Sequence, residues 1–575
     1  MPGFFSLEGA KRALGVTAAI EQTVLGARQA YLSSPGHVPL HHLSADLAAL
    51  WPKLDHLLYQ PILGLERPRC FYYYQGDGLE ALYGFTYKYL TLEHFLGQLS
   101  RVQVGAPLAE ALAAVYAQAW YPGDEALTIF VDWHTKPHWT KFYSHSGHLA
   151  MWGRTMPGTK QLILNSQDGR YLGGWNYPID AHMTHTLVEL EAALEGSLGR
   201  PIACTVTDSE GGGLPLAQRY VQAGRSYVSV LPGGHSYSLT DFVLRGVWQP
   251  VQDDPQREVV LAEWADPKRA QAEPRQLVLL RPVGGTDPTR IYTGQFAGLS
   301  AGEIPALHRR RWACNELRIR DLIHGANLNL NYGYAYAEVA QRTRQREWQA
   351  AQERVAVTER HLADHQAAAR HLRQRVADLQ QAYTADQREL HGHLVRQRHQ
   401  VQRRQRLGQP ITRALKRVDT LRQHLKTLTQ RFQKRQRHLV EQLHDHQTQA
   451  GTLTQRLALR DAIDTATLCR ERDLQKDQIM LNLQLLLANL HDWVAHAYFD
   501  PDWHKLSLEK ATQMVYRKAG RVTWHPDRIE VLLEPYRYPD QQRVMAATCA
   551  RFNAANVRWR DGRLLRISVA SPGEF

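Results

Sequence analysis

Three acidic residues, far apart in the chain, are the clearest candidates for chemistry. Asp132 closes the apolar run LTIFV, Asp208 follows CTVT, and Glu316 lies inside ALHRRRWACNELRIRDL. The flanking residues place both aspartates at the C-terminal ends of predicted strands, where α/β sheets commonly present ligand groups, and place the glutamate on a helix. Carboxylate oxygens from two strands and a helix are hard ligands suited to Mg²⁺ or Mn²⁺. Such a set can hold two ions that clamp the attacking and leaving oxygens of a phosphodiester. Taken singly, each signal is weak, because a lone Asp after a strand is ordinarily a turn or cap residue. Around the glutamate, Arg309, Trp312, Glu316 and Arg320 share one helical face by their i, i+3 and i+4 spacing, and Arg310 and Arg311 belong to the same run. That face offers phosphate-binding guanidinium groups and a stacking ring. The competing reading is a structural helix with Trp312 in the core.

Other side chains are weaker candidates. Trp248 and Trp264 sit in a strand-rich stretch, where stacking on an unpaired base is the functional reading and strand-core packing the ordinary one. The spacings of His134 with His138 and of His145 with His148 invite a zinc reading. With no cysteine nearby and 28 histidines in the chain, ordinary polar roles are the better account. Asp180 precedes a predicted helix and reads as its cap, and Glu210 stands two positions after Asp208. Gly211 to Gly213 follow an acidic strand end with no lysine behind them, so no triphosphate-binding loop and no nucleotide cofactor are expected. The five cysteines are scattered without a CxxC pair, which suggests neither a disulfide framework nor a cysteine zinc site.

The elements that must position these residues fall into six stretches. The chain has 575 residues, 43% hydrophobic and 22% charged, which is long enough for several well-buried units. Residues 1–125 read as mainly helical, a region of possible DNA-end binding, with a turn at the glycines of GDG after Tyr74. Residues 126–223 alternate strands with a helix and form the first part of an α/β core. Residues 224–303 hold only short strands, a β-rich insertion, and 304–337 return to the core with the helix carrying Glu316. Over 338–460, apolar residues recur every seven positions at Val355, Leu362, Ala369, Val376, Tyr383 and Leu390, and again from Ile411 to Phe432. Broken once at Gly408-Gln409-Pro410, this pattern predicts a long antiparallel coiled-coil arm. Residues 461–575 predict an apolar helix and a small α/β unit with two hairpins, the second turning at Asp561-Gly562. The net charge is +13. Residues 335–460 contain 25 Lys and Arg against 11 Asp and Glu, so this one segment carries the whole basic excess. That distribution points to a polyanion, with a solvated arginine-rich face as the plainer reading. The start has no signal-peptide order and no run of about 18 apolar residues occurs, so the expectation is a cytoplasmic, nucleoid-associated protein without a membrane partner.

With the motifs in order, FVDWHTKPHW, TVTDSEGGG and RRRWACNELRIRDL resemble the three acidic motifs of DDE transposases of bacterial insertion sequences. The stretches GHLAMWGRTMPGTKQLILN and KDQIMLNLQLLLANL, with the final hairpins, resemble a group of these with a coiled-coil region after the catalytic Glu. The resemblance covers roughly 125–575. It implies an α/β ribonuclease-H-like core with a β-rich insertion, a DNA transposase activity, and a metal-binding catalytic triad of Asp132, Asp208 and Glu316 holding two Mg²⁺ or Mn²⁺ ions. It also implies double-stranded DNA as partner, both transposon ends and target, and a homodimer on DNA. Arg309, Arg310, Arg311, Trp312, Arg320 and Trp248 become the candidate DNA contacts. The related enzymes often carry Tyr, Arg and Lys seven before, four before and seven after the Glu, and this chain has Arg309, Trp312 and Ile323 there. A metal-dependent nuclease on the same fold, or a domesticated non-catalytic DNA-binding scaffold, remains the alternative.

Overall fold

The structure is a computed structural model that describes all residues except 1, 2, 4, 75–79, 81, 82, 84, 141, 143, 234–236, 268–275, 334, 462–467, 572 and 575. The turn expected at GDG, residues 76–78, lies outside the described residues. The chain divides into two compact units, Met1–Ala337 with Arg470–Phe575, and Glu338–Cys469. The first is mixed α/β. Its helices α1 (Phe5–Ala13), α2 (Val16–Leu32), α3 (Leu47–Tyr59), α4 (Tyr89–Arg101) and α5 (Gly105–Trp120) precede the sheet.

An 11-stranded sheet forms the centre. Strands β1 (Leu127–Pro137), β2 (Ser146–Leu149), β3 (Arg154–Ser166) and β4 (Tyr171–Pro178) are followed by α6 (Met183–Leu198), β5 (Ile202–Val206), α7 (Leu214–Gln222) and β6 (Tyr227–Val230). Next come β7 (Phe242–Leu244), β8 (Gln249–Val251), β9 (Asp254–Trp264), β10 (Gln276–Pro282) and β11 (Arg290–Gln295). The order is β3-β1-β5-β6-β11-β10-β9-β7, with β2 and β4 also on β3 and β8 on β9. β1 runs antiparallel to β3, and β5 and β6 run parallel to β1 through the two helical crossovers. β6, expected with the β-rich insertion, pairs parallel with β5 and belongs to the core, and the other strands of that stretch extend this same sheet because β11 pairs antiparallel with β6.

Period-two alternation along β1 divides the core. Ile129 and Val131 pack with Leu187, Leu194, Leu216 and Tyr220 of α6 and α7. Phe130 faces the other way, with Val206, Val228, Tyr292 and Ile304. On that second face lie α8 (Glu303–Arg311), a π-helical turn (Trp312–Glu316) and α9 (Leu317–Gly325).

The short strands β12 (Tyr336–Ala340) and β13 (Leu468–Arg472) pair with each other. Between them the second unit consists of α10 (Arg342–Arg406) and α11 (Thr412–Asp461). Tyr383 stacks on Phe432 with ring centroids 4.0 Å apart, and His365 Nδ1 lies 2.9 Å from His446 Nδ1, so the two helices are antiparallel. Ala369, Leu372, Leu394, Ala414, Val418 and Leu439 are buried along the seam, and Gly408 turns the chain with a φ of 63°.

In the first unit, α12 (Gln475–Ala497) is buried along most of its length. It shares one apolar core with α1 to α5 and with the C-terminal elements β14 (Gly520–Trp524), β15 (Arg528–Leu533), α13 (Pro539–Ala554) and β16 (Leu564–Val569). A fully buried ion pair, Lys136 Nζ to Asp477 Oδ1 at 3.2 Å, ties β1 to α12. The second C-terminal hairpin is short: about the antiparallel bridge of Arg558 with Leu564, Trp559 N donates to the Arg563 carbonyl at 2.7 Å and Leu565 N to the Val557 carbonyl at 2.8 Å, and β16 pairs along its length in parallel with β15 through the α13 crossover. Among the described residues no helix is long and apolar enough to cross a membrane.

Candidate active site

Register decides where the two aspartates meet. Phe130 of β1 pairs with Val206 of the parallel neighbour β5. Asp132 and Asp208 each stand two residues further on, level with one another and on the face that carries α8. The sequence places both at strand ends, and for Asp132 this is corrected. β1 continues to Pro137 because β3 pairs with it from Ile129 to Pro137, whereas β5 stops at Val206. Asp132 therefore lies mid-strand, at the point where the sheet loses its parallel neighbour.

Asp208 is pinned by its own turn. Its Oδ1 accepts from the amide of Glu210 at 3.0 Å, and its carbonyl accepts from Gly211 N at 3.1 Å and from the Ser229 hydroxyl. The glycines are sterically required, since a Cβ on Gly211 would meet Thr207 Oγ1 at 1.9 Å and one on Gly212 would meet the Val230 carbonyl oxygen at 1.9 Å. The side chain of Glu210 points away from Asp208 chemistry, accepting from Trp133 Nε1 at 3.0 Å and facing Lys160 Nζ at 3.5 Å.

Glu316 ends the π turn, and Asn315 before it fastens that turn to the sheet. The fully buried Asn315 Nδ2 lies 3.1 Å from the Phe130 carbonyl, 3.3 Å from the Ile163 carbonyl and 3.1 Å from Asn165 Oδ1. Arg309, Trp312 and Glu316 share one cleft as their spacing predicts, and Arg320 does not join them, because widening of the helix here changes its phase. Arg311 is brought beside Glu316 instead. Its Nη1 lies 2.7 Å from Asp132 Oδ2 and its Nη2 pairs with Glu316 Oε1.

The remaining candidates are dispersed. Arg309 pairs with Asp253 and, at 3.7 Å, with Asp254, and lines the site cleft. Arg310 donates to the carbonyl of Gln167 at 2.5 Å, bracing the β3–β4 turn. Trp312 is 59% exposed at the cleft wall rather than in the core. Arg320 is exposed on α9 and does not line the cleft. Trp248 is not brought to the site: the Arg281 guanidinium covers its ring at 3.6 Å, and it packs on a separate strand cluster. Trp264 is buried in that cluster.

The resulting cleft has a volume of about 470 Å³ and is lined by Asp208, Glu316, Arg290, Arg309, Arg311 and Trp312, among others. Burial raises the Asp132 carboxyl to about 7, opposed by Arg311 and reinforced by the charges of Asp208 and Glu316. The charges of Asp208 and Glu316 thus bear on Asp132, and carboxylate oxygens are the hard ligands a divalent ion of the Mg²⁺ class takes, while the three side chains do not bring their oxygens all within 4.8 Å of one another. His308, also on the cleft wall, is lowered to about 3 by burial and by Arg311 and Arg290, so it stays neutral. Asn315 and His308 were missed by sequence reasoning, since neither belongs to a recognisable pattern.

Elsewhere, His145, Asp180 and Glu471 bring ligand-type atoms within 4.8 Å of one another. Asp180 is therefore part of this cluster and not the residue preceding α6, which is His182. His134 hydrogen-bonds Asn329 Oδ1 at 2.7 Å in an ordinary polar role.

No family model matches the chain, and no curated protein matches it. Among solved structures, a cryo-EM structure of a piggyBac transposase synaptic complex with hairpin DNA aligns with a TM-score of 0.27 and 10% identity, over 56% of this chain and 67% of that one. A likeness of that size carries no argument about function.

Proposed function

We propose that this chain is a metal-dependent enzyme acting on DNA phosphodiesters, a DDE-type transposase with a ribonuclease-H-like core. The observation that carries the reading is the convergence of Asp132, Asp208 and Glu316 from three elements far apart in sequence: the charges of Asp208 and Glu316 bear on Asp132, and Asp208 and Glu316 line one open basic cleft. Two antiparallel strands beside β1, followed by two parallel strands reached through helical crossovers, support the ribonuclease-H-like reading of the core.

In this account the three carboxylates hold divalent ions. Bound there, such ions activate a water or a 3′ hydroxyl for in-line attack and neutralise the phosphate charge. The protein supplies position. The parallel register sets Asp132 beside Asp208, and Asn315 fixes the turn that delivers Glu316. Neutral His308 adds no charge that would compete with a cation. Arg290 and Arg309 on the cleft wall hold backbone phosphates, which gives affinity without reading sequence. Exposed Trp312 offers a stacking surface for an unpaired base. The partner is duplex DNA, bound by a homodimer when two ends are brought together.

The reading is tested by incubating the full chain with Mg²⁺, a supercoiled plasmid and a labelled duplex carrying the sequences that flank its gene. Nicked plasmid with label joined to it is the expected product. Nicking without joined label would make the protein a nuclease on the same fold. Binding with neither product would leave a non-catalytic DNA-binding scaffold.

A further inference from the structure

The Arg311 guanidinium occupies an unusual position for an arginine in a cluster of acidic residues that would bind metal. Its side chain is 13% exposed and bridges two members of the triad, Asp132 Oδ2 at 2.7 Å and Glu316 Oε1. The pair with Glu316, five residues on, depends on the π turn. In a regular α-helix, residues five apart project about 140° from each other, and the wider π turn brings such a pair close to one side. The turn itself is fixed by Asn315, so Arg311 is aimed into the site by the fold and not by a flexible surface contact. The third donor, Asp208, stands in the turn just beyond the neighbouring strand β5 and lines the open cleft.

We propose that Arg311 is the resident cation of this site: its guanidinium holds Asp132 and Glu316 in place of a divalent ion, and an entering ion must displace it. Three carboxylates gathered at one sheet edge repel each other, and one guanidinium offsets part of that repulsion in the metal-free protein. An arginine is suited to the role because it remains charged at every working pH and its planar fork spans two carboxylates. A divalent ion competes by carrying twice the charge at closer range to the same oxygens. Monovalent ions lack that advantage, which makes the arginine a filter for the charge of the entering ion. This inference rests on the reading of Asp132, Asp208 and Glu316 as a divalent-ion site.

The test is Mn²⁺ binding to the full chain without DNA, followed by the resonance of free Mn²⁺ and by calorimetry. Arg311→Gln and Arg311→Ala should bind Mn²⁺ about tenfold more tightly than wild type, the equivalent of about 1.4 kcal/mol for a removed competitor. Arg311→Lys keeps the positive charge without the planar fork and should fall between wild type and Arg311→Gln. Melting curves confirm that each variant is folded, and the glutamine variant preserves side-chain length if the alanine variant is not. Asp132→Asn separates the two levels of the account. If Asp132→Asn abolishes binding while Arg311→Gln and Arg311→Ala bind no more tightly than wild type, Arg311 is a structural brace and the inference is overturned with the metal site intact. If Asp132→Asn leaves Mn²⁺ binding unchanged in both the wild-type and Arg311→Gln backgrounds, the site reading fails and the inference fails with it.

Discussion

Asn315 is the residue through which the helix and the sheet are coupled, and its replacement by leucine is the sharpest structural perturbation available. Its Nδ2 serves three oxygen acceptors, the carbonyls of Phe130 and Ile163 and the side chain of Asn165, all in a fully buried setting. Leucine has similar volume and no donor, so the loss is of hydrogen bonding and not of packing. An amide has only two N–H groups, so the three contacts amount to about two full hydrogen bonds. Leaving buried acceptors unpaired costs about 1–3 kcal/mol each, and the strand carbonyls retain part of their bonding within the sheet, so a total of about 2–4 kcal/mol is expected. Because Glu316 is the next residue, the loss should also loosen the acidic site. Urea denaturation in EDTA reads the stability, and Mn²⁺ binding to the same variant reads the site. Asn315→Leu should lose about 2–4 kcal/mol and bind Mn²⁺ less tightly. A variant within about 0.5 kcal/mol of wild type, or one that is destabilised yet binds Mn²⁺ unchanged, would refute the coupling.

Three further outcomes follow from particular contacts. The buried Glu191 carboxyl accepts from Thr205 Oγ1 at 2.7 Å on β5, the strand that leads to Asp208, and burial raises it from 4.5 to about 7. The native state therefore binds more protons than the unfolded state between those values, and stability should fall as pH rises through that window. In denaturation at pH 5 and pH 8, Glu191→Gln should gain about 2–3 kcal/mol relative to wild type at the higher pH, and no change would contradict the assignment. Asp477→Ala strips Lys136 of its buried partner and should destabilise the protein by about 3–5 kcal/mol in the same assay. Arg290→Ala and Arg309→Ala should each lower the salt slope of duplex binding by about one unit, whereas Arg320→Ala, away from the cleft, should leave it unchanged.

The acidic residues were legible because an apolar β run ending in Asp is a local signal, repeated at LTIFVD and CTVTD. Their adjacency was not legible, because it depends on the pairing of Phe130 with Val206, a long-range register that no local pattern encodes. The helix carrying Glu316 was also legible, but its π turn was not. Nothing in WACNE distinguishes a π turn from an α turn, and the widening depends on tertiary bonds from Asn315 to β1 and β3. That one distortion reassigns Arg311 from the DNA surface to the acidic site and removes Arg320 from it. The strands of 224–303 were visible as strands, but their place in the central sheet is set by the pairing of β11 with β6. Asp561-Gly562 signalled a hairpin correctly, but that hairpin is short, and the main partner of the following strand is β15, across α13. The helical hairpin was read from its seven-residue period, since contacts between neighbouring helices recur at the period of the helix itself.

We propose Asp132, Asp208 and Glu316 as one metal-dependent site on DNA. It is tested most directly by measuring Mg²⁺-dependent nicking of supercoiled plasmid by Asp132→Asn, Asp208→Asn and Glu316→Gln, with duplex binding measured on the same preparations. The account predicts that all three variants bind duplex DNA within a fewfold of wild type and that each loses nicking by at least about a hundredfold, as expected when a metal-anchoring charge is removed. Wild-type nicking by any one of the three, with DNA binding intact, would contradict it.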